Sequence, residues 1–362
     1  MRGDLIGDCR RRLRPLLGSE EAKAGAFAYG DSETNLKGGI TSQIRTLLQL
    51  KTAAGLDAVM CALINGIQWQ LRYLVCSPEE LDVYLSACEP ISRGLFYEVF
   101  EKPEVLQAGN FLQWQSPVKT AFPENDTARA RVFLSPSGLR SPTVIFLHAL
   151  MSASDIGYRR IAARLNRRGW NAVLMHLPYH YSRVPRGHFN GALALTANLP
   201  QNAETLRQAV IEVRQLMNFF RVNGCQDFGV IGTSYGGWVG ALVSFLERDF
   251  RFVTLLQPIA DVEHAIWESP ASFTIRRALL AAGIERGASR RHAHLTSPLD
   301  GRPACDGARV LIIGGEYDMI APPSTLKVLT QMWPESRFAQ VAQGHFGYAA
   351  MREALRSIEH LL

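Results

Sequence analysis

The sequence predicts an α/β fold with a mostly parallel central sheet and helices on both faces. From about residue 110 onward, short apolar runs alternate with amphipathic stretches, which is the pattern of repeated βα units. The runs 143–148 and 172–177 are apolar without alternation, as strands buried on both faces are. The stretch 204–222 has apolar residues at helical spacing. In such sheets ligands bind at the carboxyl ends of the strands, and the candidate site residues fall there.

The composition is that of an ordinary globular protein, with 47% hydrophobic and 20% charged residues among 362. The formal net charge is +6, and no nucleic-acid-binding motif accompanies it, so we expect no nucleic acid partner. The N-terminus lacks the apolar run of a signal peptide, and the apolar segment 58–69 is too short to span a bilayer. A cytoplasmic protein is therefore expected. Part of the basic excess is an N-terminal cluster of Arg2, Arg10, Arg11, Arg12 and Arg14.

Three regions are expected along the chain. Residues 1–40 are predicted to be a basic, flexible segment, and 41–109 a helical N-terminal extension. This extension is interpreted as a helical layer on the main domain, with a cap over a site or a membrane-facing surface as the alternatives. Residues 110–362 form the α/β domain, and its connection at about 259–307 is longer than an ordinary one.

The strongest chemical signal is the sequence GTSYGG at 232–237. An apolar strand ends just before Ser234 and a helix begins just after it, which is the context of a nucleophile on a sharp strand-to-helix turn. Flanking glycines are needed there because a side chain would collide with the neighbouring strand and helix. The helix N-terminus points its amides at developing negative charge. We interpret Ser234 as a nucleophile rather than an incidental turn residue.

A serine hydroxyl needs a base within hydrogen-bond reach, and His345 is the candidate. It lies between a late short strand and the terminal helix, flanked by Gly344 and Gly347. The alternatives are histidines that precede the serine in the chain, which is not the order Ser, Asp or Glu, His expected of this arrangement. These alternatives are His176, His180 and His188.

A carboxylate must hold the imidazole in the correct tautomer. The segment after the strand ending near 314 contains two candidates, Glu316 and Asp318. Asp318 is preferred because it precedes the start of the next helix, where main-chain amides can hold a short carboxylate. Glu316 is interpreted as a turn residue or an ion-pair partner.

Residues 110–362 resemble the α/β-hydrolase superfamily, in particular serine esterases and lipases. The elbow at Ser234, the acid loop at Asp318 and the Gly-His at 344–345 match that family in type and order. The resemblance implies an oxyanion hole formed by the main-chain amides of Tyr235 and Leu150. The family usually has His-Gly where this chain has His-Ala at 148–149, and Met151 is a second candidate donor.

Two segments are candidates for shaping the substrate pocket. The loop 177–183 after the second buried strand is rich in aromatic and hydrogen-bonding groups, and it either lines a pocket or covers the sheet. The insertion at about 259–307 resembles the helical lid of this family. Its His292 and His294 are interpreted as surface residues and not metal ligands, because no carboxylate or cysteine partner is close in sequence. The candidate pocket residues are His148, Met151, Tyr179 and His180.

The function predicted from these residues is cleavage of a carboxylic ester through an acyl-enzyme intermediate. The expected partner is a small-molecule or lipid-like ester, with no metal and no organic cofactor. Two alternatives stay open: an acyltransferase or amidase with the same triad, and a non-catalytic binding protein on the same fold. Peripheral membrane association through the basic N-terminus and helices 41–74 is compatible with the ester hydrolase, and no oligomeric state is predicted.

Overall fold

The computed structural model describes residues 32–99 and 103–362, with side-chain detail from residue 50 onward. The chain divides into two compact units, Met1–Thr46 and Leu47–Leu362. The contacts described below all belong to the second unit. Residues 1–31, which include the five N-terminal arginines and most of the predicted flexible segment 1–40, lie outside the described residues.

The described part of the chain begins with three helices, α1 (Ser32–Gln70), α2 (Pro78–Cys88) and α3 (Arg93–Phe96). Helix α2 starts at a capping box, as its sequence suggests: the Glu80 amide donates to the Ser77 hydroxyl, and the Glu80 carboxylate accepts from the Ser77 amide. A short strand, β1 (Leu106–Ala108), follows within the stretch 41–109 that was predicted to be helical. That prediction is wrong at this point, because three exposed residues are too few to show the alternation of a strand.

The remaining strands and helices are, in order, β2 (Phe111–Gln115), β3 (Thr127–Phe133), β4 (Thr143–Leu147), α4 (Ile156–Asn166), β5 (Asn171–His176), α5 (Leu199–Val222), β6 (Phe228–Thr233), α6 (Tyr235–Ser244), β7 (Phe250–Leu256), α7 (Val262–Trp267), α8 (Phe273–Ala281), α9 (Ala293–Thr296), β8 (Val310–Gly315), α10 (Pro323–Met332), β9 (Arg337–Val341) and α11 (Ala349–Ser357). From β4 onward each strand is followed by a helix or helices, with α7, α8 and α9 in a row between β7 and β8.

These strands form one sheet in the order β1-β2-β3-β5-β4-β6-β7-β8-β9. The first three strands are antiparallel to their neighbours, and every pair from β5 to β9 is parallel. The mostly parallel sheet predicted from the sequence is confirmed. The carboxyl ends of β4, β6, β7 and β8 therefore meet at one edge of the sheet, where the site lies.

Both faces of the sheet are covered, as the unbroken apolar runs predict. In β4, Ile145 and Leu147 pack in one hydrophobic cluster, whereas Val144 and Phe146 pack in another on the opposite face. Helices α5 and α6 contribute to the first cluster, and α4 and α11 to the second. The helices thus lie on both faces and hold the strand ends in fixed positions.

One stretch of the described residues, Leu50–Gln70 in α1, is long and apolar enough to cross a membrane by length and composition. This stretch is longer than the segment 58–69, which from its sequence is too short to span a bilayer. Only 11% of the window is buried. Its polar residues nevertheless contact the α/β domain: the Asn65 side-chain amide donates to the Pro270 carbonyl (2.8 Å), and the Thr274 amide donates to Asn65 Oδ1 (2.8 Å).

A fully buried ion pair joins the loop after β5 to helix α5. The guanidinium of Arg183 donates to both carboxylate oxygens of Glu212, and neither side chain is exposed to solvent. The same guanidinium also donates to the carbonyl of His176 (3.0 Å) and to that of Asn125. These hydrogen bonds from the Arg183 guanidinium hold the loop after β5 against the sheet.

We expect Glu212→Gln to lower the free energy of unfolding by about 3 kcal/mol, because it leaves the Arg183 charge buried without its counter-ion. Urea denaturation measures this change. The matched control is Glu353→Gln, which removes the half-buried partner of the exposed Arg356 guanidinium and is expected to change stability by less than about 0.5 kcal/mol. Equal effects of the two substitutions would contradict a structural role for the buried pair.

Candidate active site

Ser234 stands on a sharp turn between β6 and α6. Its backbone is in a strained conformation (φ 52°, ψ −115°) that non-glycine residues seldom adopt. The Ser234 amide donates to the Leu256 carbonyl at the end of β7 (2.8 Å), which holds the turn against the neighbouring strand. The hydroxyl is therefore displayed at the carboxyl edge of the sheet by rigid elements on both sides.

The glycines around Ser234 are required by close backbone approaches. A Cβ atom on Gly232 would lie 2.4 Å from the Gly236 carbonyl oxygen, and one on Gly236 would lie 2.2 Å from the Leu147 carbonyl oxygen. Neither neighbour is a flexible side chain, so a substitution would push strand and helix apart. The sequence reading of these glycines agrees with this packing.

The structure brings Ser234, His345 and Asp318 into contact in series. The distance from Ser234 Oγ to His345 Nε2 is 2.8 Å, and His345 Nδ1 lies 2.8 Å from Asp318 Oδ2. A carboxylate beside Nδ1 accepts its proton, so Nε2 is left as the acceptor for the serine hydroxyl. The histidine is almost fully buried and the aspartate side chain entirely so. The other histidines weighed in the sequence bond elsewhere; His176 Nδ1, for example, pairs with Ser182 Oγ (2.9 Å).

Asp318 is held on both of its oxygens. Oδ1 accepts from the main-chain amides of Ile320 and Ala321, each at 2.8 Å. Oδ2 accepts from His345 and from the side chain of Gln257 (2.6 Å). These donors stabilise the ionised carboxylate and fix its direction. Glu316, the alternative acid, is exposed at the end of β8.

Gln257 is a site residue that the sequence reading missed. Its side-chain amide donates to Asp318 Oδ2 and to the Gly344 carbonyl (2.7 Å), and its Oε1 accepts from the Gln343 side chain (2.8 Å). Its backbone has a φ of 48°, a left-handed value that is costly for a non-glycine residue. It thus links the acid to the loop that carries His345. A polar residue directly after the buried strand β7 was the available signal.

Asp57 in α1 is a second residue that the sequence reading missed. It is 1% exposed, and its carboxylate accepts from the main-chain amides of His345 (2.8 Å) and Phe346 (3.2 Å). Burial raises the pKa of this carboxyl, and the two amide bonds oppose that shift. Gly344 allows the approach, because a Cβ atom there would lie 2.5 Å from Asp57 Oδ1. Helix α1 therefore contacts the loop of the candidate base directly.

An apolar cavity of about 270 Å³ opens beside Ser234 and His345. Helix α1 contributes Ile64 and Gln68 to its wall, and the insertion 259–307 contributes most of one side. Tyr235 and Leu150, the predicted oxyanion donors, also line it. Tyr235 begins α6, so its amide has no carbonyl one turn earlier in the helix to bond. The apolar wall includes Leu195, Leu199, Leu206, Trp238, Ile259, Val262, Ile266, Ile275, Ile320 and Phe346.

The four predicted pocket residues do not line this cavity, and that prediction needs correction. His148 and His180 are fully buried, and main-chain groups occupy both nitrogens of each ring. His180 Nε2 accepts the Met151 amide (3.1 Å), so this amide is not a spare oxyanion donor. Tyr179 is 3% exposed and packs edge-on against Phe122. Loop 177–183 therefore packs against the edge of the sheet and does not form a wall of the cavity.

The interpretation of His292 as a surface residue is also wrong. It is 5% exposed, its Nδ1 bonds the Ser289 carbonyl (2.8 Å), and it lines the cavity. Burial lowers its pKa. His294 is half-buried, with Nε2 3.1 Å from the Ile91 carbonyl. Within 32–99 and 103–362, no three histidine, cysteine, aspartate or glutamate side chains are grouped closely enough to hold a metal ion.

Comparisons with known proteins show the fold. The chain is similar to the crystal structure of acetyl xylan esterase 1 from Thermoanaerobacterium sp., with a TM-score of 0.51 and 17% identity over 80% of this chain and 96% of that one. It is also similar to the acetyl xylan esterase from Paenibacillus sp. R4, with a TM-score of 0.52 and 14% identity over 79% and 96% of the two chains. The chain has the α/β-hydrolase fold.

Sequence comparison gives relatives that are named as uncharacterized proteins. The chain is 24% identical over 204 residues to the uncharacterized protein Rv2627c of Mycobacterium tuberculosis strain H37Rv, and to its counterpart MT2702 in strain CDC 1551. The alignment covers 54% of this chain and 46% of each relative, so the chain spans about half the length of the curated relatives it matches. No protein-family model matches the chain.

The Asp57 contact gives a first prediction for this site. Asp57→Asn leaves one acceptor for two main-chain amides and removes a negative charge near the imidazole, so we expect kcat/KM for an ester substrate to fall about tenfold. An unchanged kcat/KM in Asp57→Asn would contradict this reading.

The buried histidines give a second prediction. Burial lowers the pKa of His180 and of His176 from 6.5 to about 4, and that of His148 well below 6.5. Between these values the unfolded chain binds protons that the folded chain does not, so stability falls as pH drops from about 6.5 to 4, by up to about 3 kcal/mol per histidine. His180→Gln should reduce the slope of unfolding free energy against pH. The exposed-site control His360→Gln should leave it unchanged.

Proposed function

We propose that this chain, which has the α/β-hydrolase fold, is a serine hydrolase that cleaves a carboxylic ester through an acyl-enzyme intermediate. The observation that carries the proposal is the unbroken series of contacts from Asp318 through His345 to Ser234, at the rim of an apolar cavity. Two hydrogen bonds of 2.8 Å place a base beside a hydroxyl and an acid beside that base. This is the arrangement that activates serine for acyl transfer.

In the first half of the reaction, Ser234 Oγ attacks the ester carbonyl carbon and its proton passes to His345 Nε2. The carbonyl oxygen becomes an oxyanion, which the main-chain amides of Tyr235 and Leu150 stabilise. Donors of this kind contribute roughly 3–4 kcal/mol each to the transition state in comparable sites. Collapse of the intermediate expels the alcohol, which takes the proton from His345, and leaves the acyl group on Ser234.

In the second half, His345 removes a proton from water and the hydroxide attacks the acyl carbon. The second oxyanion collapses, Ser234 Oγ recovers the proton from His345, and the carboxylic acid leaves. Asp318 keeps its negative charge throughout and stabilises the imidazolium that forms twice. Gln257 and the two amides that bond Asp318 Oδ1 keep that carboxylate in place.

The cavity supports an acyl group of medium length as the group transferred. Its walls are mainly aliphatic and aromatic, with some polar side chains among them, and they adjoin Ser234. A dry apolar cavity of about 150 Å³ accommodates benzene, so the 270 Å³ here corresponds to roughly ten carbons. We assign the insertion 259–307 as a lid over this acyl site, since α7, α8 and the segment around His292 line it. Gln68 Oε1, a buried acceptor without a protein partner, also faces this region.

We expect kcat/KM for p-nitrophenyl esters to rise from acetate to about the decanoate and to fall beyond it, because each added methylene is buried until the cavity is full.

The substitution Ser234→Ala should lower kcat at least about 10³-fold, because it removes the nucleophile. The matched control is Ser86→Ala, an exposed serine on α2, which should retain parental activity. A chain-length profile that peaks at acetate would contradict the acyl assignment, and an active Ser234→Ala protein would contradict the mechanism.

Two further readouts separate the rival functions. Product analysis with added alcohols or amines distinguishes hydrolysis from acyl transfer, and an anilide panel measures amidase activity. Labelling by a fluorophosphonate probe reports an activated Ser234 whatever the substrate. A folded protein that the probe leaves unlabelled would favour a non-catalytic binding protein instead.

A further inference from the structure

The part of α1 within 50–70 buries two polar side chains and exposes several apolar ones. Asp57 and Gln68 are 1% and 5% exposed, on the side of the helix that also packs Cys61 and Ile67 against the hydrophobic core. The opposite face is apolar, with Leu56, Val59 and Leu63 at 46%, 59% and 56% exposure. A surface helix normally turns its apolar stripe inward and its polar face to water. The other exposed positions within 55–66 are Gly55, Ala58, Ala62 and Gly66.

The outer face of α1, defined as Leu56, Val59 and Leu63 with the small residues between them, also lacks charge. Between Lys51 and Arg72 the only aspartate, glutamate, lysine, arginine or histidine is Asp57, which is buried against the His345 loop. Lys51 and Arg72 themselves are exposed. The face is therefore an uncharged apolar strip with a basic residue at each end. Contiguous exposed apolar surface of this kind marks an interaction site.

We propose that the outer face of α1 docks on a lipid bilayer whose surface carries anionic headgroups. Aliphatic side chains enter the acyl boundary, while basic residues at the ends meet the headgroup charge. Trp69 and Tyr73, 52% and 66% exposed, lie at the C-terminal end, where amphipathic rings favour the headgroup level. The Arg72 guanidinium stacks over the Trp69 ring at 4.5 Å. A protein interface would instead have an aromatic or arginine centre and a polar rim.

The inner contacts of α1 favour docking on the bilayer over crossing it. Asn65 bonds the Pro270 carbonyl and the Thr274 amide, and Asp57 bonds the amides of His345 and Phe346. A helix that crossed the bilayer would break all of these bonds and place an aspartate in hydrocarbon, which is costly. A helix lying in the interface keeps them and buries only its outer face.

Docking of the outer face of α1 would affect how substrate reaches the cavity. Ile64 and Gln68 line the cavity from the inner side of the helix that carries Leu63 and Val59 on its outer side. Docking would therefore bring one wall of the cavity to the bilayer surface, where acyl lipids are concentrated. The docking itself does not depend on the proposed chemistry, so Ser234→Ala protein should bind vesicles as the parent does.

Vesicle flotation of the full chain tests the proposal. We expect the protein to float with phosphatidylcholine vesicles that contain 30% phosphatidylserine, and at least tenfold less with phosphatidylcholine alone or at high salt. The triple variant Leu56→Gln, Val59→Gln, Leu63→Gln should bind the anionic vesicles at least tenfold more weakly. It should keep parental activity on a soluble ester, because these side chains point away from the cavity and glutamine suits a helix.

The matched control carries Val222→Gln, Val328→Gln and Met332→Gln, three exposed apolar residues on α5 and α10, and it should bind as the parent does. No flotation of the parent, or equal binding by both triple variants, would overturn the proposal. The stripe Ala58, Ala62 and Gly66 also suits close helix packing, so light scattering is measured in parallel. A dimer that only the α1 variant dissociates, without vesicle binding, would assign this face to a second copy.

Discussion

The arrangement of the candidate site depends on the ionised carboxylate of Asp318 inside the protein. A buried carboxylate is tolerated only when donors surround it, and here Ile320, Ala321, Gln257 and His345 each supply one. The carboxylate in turn selects the imidazole tautomer that leaves Nε2 facing Ser234. If Asp318 lost its donors, the histidine would lose its fixed orientation and the serine would lose its base. The proposed chemistry thus depends on satisfied hydrogen bonds more than on any apolar contact.

Strain is concentrated where the sheet edge meets this network. Ser234 and Gln257 both have left-handed backbone angles, and both directly follow buried parallel strands, β6 and β7. Such conformations persist only when their surroundings determine them, and the two-sided packing of the sheet does so here. Ser234 is further bonded through its amide to the end of β7. The packed core therefore holds two adjacent turns in strained backbone conformations. In these conformations Ser234 contacts His345 and Gln257 contacts Asp318.

The N-terminal helices are part of the site as well as a layer over the sheet. Asp57 bonds the loop of His345, and Ile64 and Gln68 line the cavity, while α2 and α3 place Cys88, Phe96 and Tyr97 in the hydrophobic cluster beneath α5. The sequence predicts a helical layer here, and its pattern does not indicate the contact with the His345 loop. Asp57, the one aspartate in the stretch 52–71, is held by main-chain amides 288 and 289 residues away.

The sequence by itself determined the sheet and the chain order of serine, acid and histidine, because local patterns encode them. Unbroken apolar runs mark β4 to β8, and the glycines of 232–237 mark a turn that only they allow. Only the tertiary structure decided which polar side chains meet. Gln257 and Asp57 join the site through contacts across the fold, whereas His148 and His180, which look equally chemical in sequence, turn inward to main-chain groups. Hydrogen-bond partners distant in the chain leave no local pattern, so the cavity wall and the supports of the triad became visible only when the strands and helices were packed.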